Sequence, residues 1–200
     1  MEAISPSGAY GANVPTKKMA TTKTLGKVLS SKVVFSSRVF DVREELVVEP
    51  GGVKATRDFI EHPGSVVVLP VFRDGRILMI RQYRHSTGQY LWELVAGRRD
   101  GNETFAHGAH RELQEETGYT ARRMRKLVGL YPSPGFLREK MVIFLAKELQ
   151  AGPAHPEADE KITLRIFSLR EALEWIRQGK IRDGKSIAGI LYYARFVVKK

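Results

Sequence analysis

The apolar pattern along this chain is mostly that of strands broken by turns. Ser31–Phe40 and Val42–Val48 alternate or run apolar, Glu49-Pro50-Gly51-Gly52 is a turn signal, and Val53–Ile60 follows as a third strand. After His62-Pro63-Gly64, the continuous apolar run Ser65–Phe72 suits a buried strand. Arg73-Asp74-Gly75 is a hairpin turn into Arg76–Tyr83, and Leu91–Ala96 is a short strand ending at Gly97. Glu103–Thr117 has helical periodicity and stops at Gly118, a C-cap residue. Arg122–Tyr131, Lys140–Leu149 and Ile162–Phe167 read as strands. Ser168 caps a helix over Leu169–Gln178, with Glu171 completing a capping box, and an amphipathic helix covers Ser186–Val197. Strands with a few helices and many tight turns predict an α+β domain with a mixed sheet.

Residues 1–24 are rich in Ser, Gly, Ala, Thr and Pro without an apolar period, and read as a disordered tail. That leaves a β-rich segment at 25–62 and a main domain at 63–200. No apolar run reaches membrane-spanning length and no signal peptide opens the chain, so the cytoplasm is the expected compartment. With no cysteine among the 200 residues, disulfides, thiolate zinc sites and a Cys nucleophile are excluded. Any metal is therefore held by carboxylates, backbone carbonyls or histidines. The net charge of +11 favours anionic partners, although a solvated basic surface accounts for it equally well.

The chemistry is concentrated between Gly97 and Tyr119, in GRRDGNETFAHGAHRELQEETGY. At roughly 100° per residue, Glu112, Glu115 and Glu116 fall within about 100° of one another, beside a small apolar face of Ala106, Ala109 and Leu113. Like charges so spaced cost a helix a few tenths of a kcal/mol per pair, and a cation between them removes that cost. Hard oxygen ligands suit magnesium or manganese. Taken alone, the triplet reads first as a solvated acidic face with Arg111 as its counter-ion.

The wider spacing separates these readings. Gly97, five residues, Glu103, seven residues, Arg111-Glu112-Leu113, one residue, Glu115-Glu116, one residue and Gly118 resembles the Nudix box without a gap. Such a match arises by chance in about one chain of this length in 10⁶. Tyr119 stands where an aliphatic residue is usual, but that position packs rather than reacts. The resemblance implies a Nudix hydrolase fold, a mixed β sheet flanked by helices, here with a small N-terminal antiparallel β segment. It implies that Glu112 and Glu116 are metal ligands, with Glu115 contributing directly or through water and the Ala96 carbonyl as backbone ligand. Arg111 and Glu103 are the implied pair orienting the helix carboxylates. The implied metal is Mg2+, with Mn2+ as the other option.

Further segments resemble the ADP-ribose pyrophosphatase subgroup. Ser133-Pro134-Gly135 follows the box, and Glu139 lies where that subgroup has a substrate-contacting glutamate. Trp92-Glu93-Leu94-Val95-Ala96-Gly97 and Gln82-Tyr83-Arg84 resemble its strands leading into the box. The loop Pro156–Ile162 resembles the one carrying its catalytic base, which assigns that role to Glu160, with Glu157 as second choice. The implied substrate-binding residues are Arg57, Arg84, Glu93, Arg98, Ser133 and Glu139. Arg98-Arg99 departs from the apolar or acidic residues that relatives carry there, which makes Arg98 a candidate phosphate contact. Phe40 is an ordinary core aromatic or a stacking residue for the base. The β segment is expected to pair with a second subunit, giving a homodimer that shares the adenosine pocket.

These features predict hydrolysis of a nucleoside diphosphate sugar, ADP-ribose first, to AMP and ribose 5-phosphate. A GDP-mannose or other sugar-nucleotide pyrophosphatase would use the same fold and metals. The alternative of another class is a catalytically weak Nudix module that binds a ligand or associates with RNA. The intact glutamate set favours an enzyme, and neither membrane nor nucleic acid is an expected partner.

Overall fold

The computed structural model describes residues 26–154 and 161–198; the tail at 1–24, Glu157 and Glu160 lie outside them. Three short sheets and three helices make up the described chain. β1 (Lys27–Ser36), β2 (Asp41–Val48) and β3 (Lys54–Glu61) form an antiparallel meander. β4 (Ser65–Pro70) lies in a second sheet with β7 (Val95–Arg98), β8 (Tyr119–Leu130) and β10 (Met141–Ala151), in the order β7-β4-β10-β8. Within it β4 and β10 are parallel and the other pairs antiparallel, so the sheet is mixed. β5 (Ile77–Arg84), β6 (Gln89–Glu93) and β11 (Thr163–Phe167) form the third sheet. The α+β expectation holds.

The mixed sheet is the middle layer. All six residues of β4 are buried, as its continuous apolar run requires. Alternate side chains divide between two cores. Val66, Val68, Val142 and Phe144 pack with Ala109 and Leu113 of α1 (Phe105–Thr117). Val67, Leu69, Ile143 and Leu145 pack on the opposite side. There they meet Ala172 of α2 (Leu169–Arg177), and Ile190 and Tyr193 of α3 (Gly184–Phe196). Trp92, Phe167 and Trp175 close that core edge to face, with ring centroids 5.0 to 6.2 Å apart. Leu113 is fully buried, so truncating it to Ala would cost about 2–5 kcal/mol and loosen α1 from the sheet.

Several boundaries differ from the periodicity. β1 ends at Ser36 because the Ser37 hydroxyl accepts from Val39 and Phe40 N–H and donates to the Phe40 carbonyl, making a turn. α1 starts at Phe105, not Glu103, because Thr104 is the N-cap and accepts from His107 N–H. α3 starts at Gly184, capped by Asp183, which leaves Ser186 inside the helix and fully buried. The two-residue β9 (Leu137–Arg138) pairs in parallel with β3 and joins the meander to the remainder of the chain. Arg138 reinforces that joint: it hydrogen-bonds Glu45 and Glu61 and lies 3.9 Å over the Phe59 ring.

Candidate active site

The segment from β7 into α1 is folded by its own polar groups. Asp100 N–H donates to Glu103 Oε1 and Glu103 N–H donates to the Asp100 carbonyl, both at 2.9 Å. Arg99 is structural: its Nε donates to the Pro63 carbonyl, its Nη1 to the Glu103 carbonyl, and its guanidinium lies over Phe105. Gly118 ends α1 at φ 73°, where an added Cβ would sit 2.5 Å from the Gly152 carbonyl.

Arg111 organises the acidic face. Its Nη2 donates to Glu103 Oε1 at 2.9 Å and to the Arg98 carbonyl at 3.0 Å. Its Nη1 donates to Glu112 Oε1 at 2.8 Å and Glu115 Oε2 at 2.9 Å. The Arg111 hydrogen bond to Glu103, against some opposition from burial, holds that carboxyl at about 2, helped by Asp100 N–H and His107. The guanidinium itself is pushed above its ordinary range, by Glu103 first. Glu116 is buried and accepts from Ala96 N–H at 3.3 Å, and the Glu112 carboxylate packs on Gly97. Glu103, Arg111, Glu112, Glu115, Glu116 and Ala96 are thus gathered at one β–α junction.

The donor set there is all hard oxygen, which fits a magnesium-type cation and suits neither copper nor iron–sulfur chemistry. Among the described residues no three acidic or histidine groups form a closed cation cage as they stand. Arg111 Nη1 bridges Glu112 and Glu115, so the guanidinium and a cation would compete for the same carboxylate oxygens.

A second cluster adjoins the first. Glu93 on β6 is 1% exposed and receives Arg84 through two hydrogen bonds, Nε to Oε1 at 2.7 Å and Nη2 to Oε2 at 2.8 Å. Lys185 Nζ donates to the same Oε2 and to Asp183 Oδ1. Burial alone would raise the Glu93 carboxyl, but Arg84 and Lys185 outweigh it and leave it below its ordinary value. Arg84 is pushed up by Glu93 first, and the charge of Glu116 adds to this, so its guanidinium lies within electrostatic range of α1. Lys185, Asp183 and Ser186 were missed in the sequence. Their local signal is Asp183-Gly184, a helix cap just ahead of the amphipathic period, and nothing in it points to Glu93.

The remaining candidates are dispersed. Glu139 accepts from the Ser65 hydroxyl at 2.5 Å and lies 3.5 Å from His62 Nδ1. Burial lowers the His62 imidazole, which Glu139 opposes and Arg98 reinforces. The Ser133 carbonyl accepts from Phe136 and Leu137 N–H, forming the turn into β9. Arg57 pairs with Glu49 and lines an open cleft of about 450 Å3 with Phe59, Tyr131, Pro134, Gly135 and Arg138. Arg98 alternates with Gly97 on β7, so its side chain leaves on the face away from Glu112 and donates to the Arg38 carbonyl. Phe40 lines a separate cleft with Arg38, His62 and Arg98, its ring 6.3 Å from that of Phe35 and tilted by 43°.

Residues 61–188 match the family model described as the NUDIX domain. An ADP-ribose pyrophosphatase of Bacillus subtilis (strain 168) is 35% identical over 168 residues, which is 83% of this chain and 91% of that protein. An ADP-ribose pyrophosphatase of Mycobacterium tuberculosis is 36% identical over 169 residues, 82% of this chain and 81% of that protein. A solved structure titled ADP compounds hydrolase superposes with a TM-score of 0.74 over 86% of this chain and 94% of that one. Its sequence identity is 21%, so the likeness is one of fold.

Proposed function

The chain belongs to the Nudix family and is a pyrophosphohydrolase, and from that premise we propose that it cleaves ADP-ribose to AMP and ribose 5-phosphate, working in the cytoplasm as a homodimer. The observation that carries the chemistry is the gathering of Glu112, Glu115 and Glu116 beside Ala96 and Gly97, oriented by Arg111 and Glu103. The substrate assignment draws on relatives that are ADP-ribose pyrophosphatases at 35% and 36% identity over more than four-fifths of the chain.

In this proposal Glu112, Glu116 and the Ala96 carbonyl hold magnesium, or manganese in its place, and Glu115 completes the set. When bound, the cation offsets the diphosphate's negative charge and makes water more acidic. The remaining work is done by the chain itself. Arg111 and Glu103 keep the three carboxylates on one face. Glu160, or Glu157 in second place, takes the proton from the attacking water. Arg84, held by Glu93, offers its guanidinium to the phosphate oxygens. Arg57, Ser133 and Glu139 contact parts of the substrate beyond the diphosphate, whereas Arg98, turned away from Glu112 onto the Arg38 carbonyl, is not among these contacts. The 450 Å3 cleft that Arg57 lines with Tyr131 and the turn after Ser133 supports an adenosine site there.

The dimer is supported by β1, an edge strand whose ten residues are all exposed, Val28, Val33 and Phe35 among them. The experiment for the activity is a panel of ADP-ribose, GDP-mannose and other sugar nucleotides with purified protein, magnesium and product identification. ADP-ribose is expected to give AMP and ribose 5-phosphate at the highest kcat/KM. A preference for GDP-mannose would move the substrate within the class. Inactivity across the panel would leave a ligand-binding module.

A further inference from the structure

We propose that Lys185, at the start of α3, is a positioning residue for the diphosphate site: it locks Glu93 so that Glu93 can hold Arg84 beside the acidic helix. The proposal rests on the reading of Arg84 as a phosphate contact, and it adds an element that lies about ninety residues away in sequence.

The geometry is a closed chain of partners. Asp183 caps α3, accepting from Ser186 N–H at 3.0 Å and from the Ser186 hydroxyl at 2.5 Å. The Ser186 hydroxyl in turn accepts from Leu94 N–H at 2.7 Å, which ties the helix start to the backbone immediately after Glu93. Lys185 bridges the Asp183 and Glu93 carboxylates. Arg84 takes both oxygens of Glu93. Two cations and two anions therefore alternate, and the four charges sum to zero.

Burial makes each member depend on the others. The Glu93 side chain is 1% exposed and that of Lys185 15% exposed. A carboxylate so enclosed requires its donors, and loss of one leaves it under-satisfied. Of the four, Arg84 is the most open to solvent. Its side chain is 35% exposed, and among the described residues its Nη1 has no hydrogen-bond partner. Nε and Nη2 face inward to Glu93, which leaves Nη1 for a substrate oxygen. Lys185 spends two of its three N–H donors on the internal carboxylates of Glu93 and Asp183, and its side chain is only 15% exposed. It acts on substrate through Glu93 and Arg84, not by contact.

The test compares K185M, K185R, R84A and the K185M/R84A double variant in ADP-ribose hydrolysis at saturating magnesium, with thermal melting as the fold control. K185M is expected to lower kcat/KM about 10²-fold, the cost of a misplaced binding group, and K185R to recover part of that loss. In the double variant, K185M should add no more than about twofold to the R84A defect, since both act through one guanidinium. Full additivity would overturn the proposal, because a purely structural Lys185 would multiply with R84A. A crystal structure of K185M with Arg84 still on both Glu93 oxygens would overturn it independently of any assay. A wild-type protein inactive on every sugar nucleotide would instead sink the functional reading, and that crystal structure would still decide the positioning.

Discussion

The Glu112 carboxylate lies so close to the Gly97 backbone that a β-carbon on residue 97 would sit 1.9 Å from Oε1. The strand that precedes the helix is thus the wall on which a proposed metal ligand rests. Gly97 is required here for close approach, not for an unusual backbone angle. Gly97→Ala drives the carboxylate away, and because Glu112 is a flexible side chain, the fold can absorb the change. The expected outcome is a small shift in melting temperature with a loss of about 10²-fold in kcat/KM, the cost of displacing a ligand by an ångström or more. Equal losses in stability and activity would indicate a packing role alone.

Glu103 and Arg111 give a pH signature. The Glu103 carboxyl titrates at about 2 in the folded chain against 4.5 in its ordinary state, chiefly through the Arg111 hydrogen bond. A depressed carboxyl adds stability that is fully present above about pH 4.5 and is lost as the pH falls toward 2. Glu103→Gln should therefore be less stable than wild type at neutral pH. The difference should shrink through that acid window, as denaturant unfolding at a series of pH values would reveal. Freed from Glu103, Arg111 also competes more strongly for Glu112 and Glu115, so the magnesium concentration needed for half-maximal rate should rise. A constant stability difference from pH 7 to 2 would contradict the assignment.

The homodimer can be tested on β1. Val33 and Phe35 are exposed, on a strand with a free edge. Substitution of both by Asp places charge on the surface assigned to the partner and should yield a monomer in light-scattering measurements. If the adenosine pocket is shared, KM for ADP-ribose should rise while kcat changes less. A wild-type protein that is monomeric at micromolar concentration would refute the dimer directly.

What could be read in the sequence was local. β4 and α1 follow from an unbroken apolar run and from a small apolar face flanked by a cap. The acidic face followed from helical spacing, since neighbours one turn apart need no tertiary information. β9 did not: two residues carry no period, and their strand character comes from docking on β3. The sequence pattern starts α3 at Ser186 because Gly184 and Lys185 break the amphipathic period, while the bonds from Ser186 to Asp183 set the start at Gly184. The bond between Lys185 and Glu93 joins two elements distant in sequence, and nothing near either residue announces it. The direction of Arg98 was in principle available from strand alternation, because if Gly97 faces the helix its neighbour faces away.

Glu112→Gln and Glu116→Gln test the proposed metal ligands. Glu116 accepts from Ala96 N–H, a bond that an amide oxygen can also accept, so E116Q should fold. Each change removes one of the negative charges that would hold the cation. The expected loss in kcat exceeds about 10²-fold at saturating magnesium, since cation binding supplies several kcal/mol of charge stabilisation. Calorimetric titration with manganese should show the matching loss of affinity. Undiminished turnover would remove these residues from the ligand set.

Glu160 separates a base from a binding group. It lies outside the described residues, so the assignment rests on its place in the acidic loop before Ile162. A general base acts on the proton of the attacking water and contributes only as the reaction proceeds. Removing it should lower kcat by about 10²- to 10⁴-fold and leave KM nearly unchanged. A binding glutamate would do the reverse, because an interaction equally strong with substrate and transition state changes KM alone. Steady-state kinetics of Glu160→Gln and Glu157→Gln on ADP-ribose separate these cases. The larger kcat loss should fall on Glu160, and a dominant rise in KM there would make it a substrate contact and shift the search for the base to Glu157.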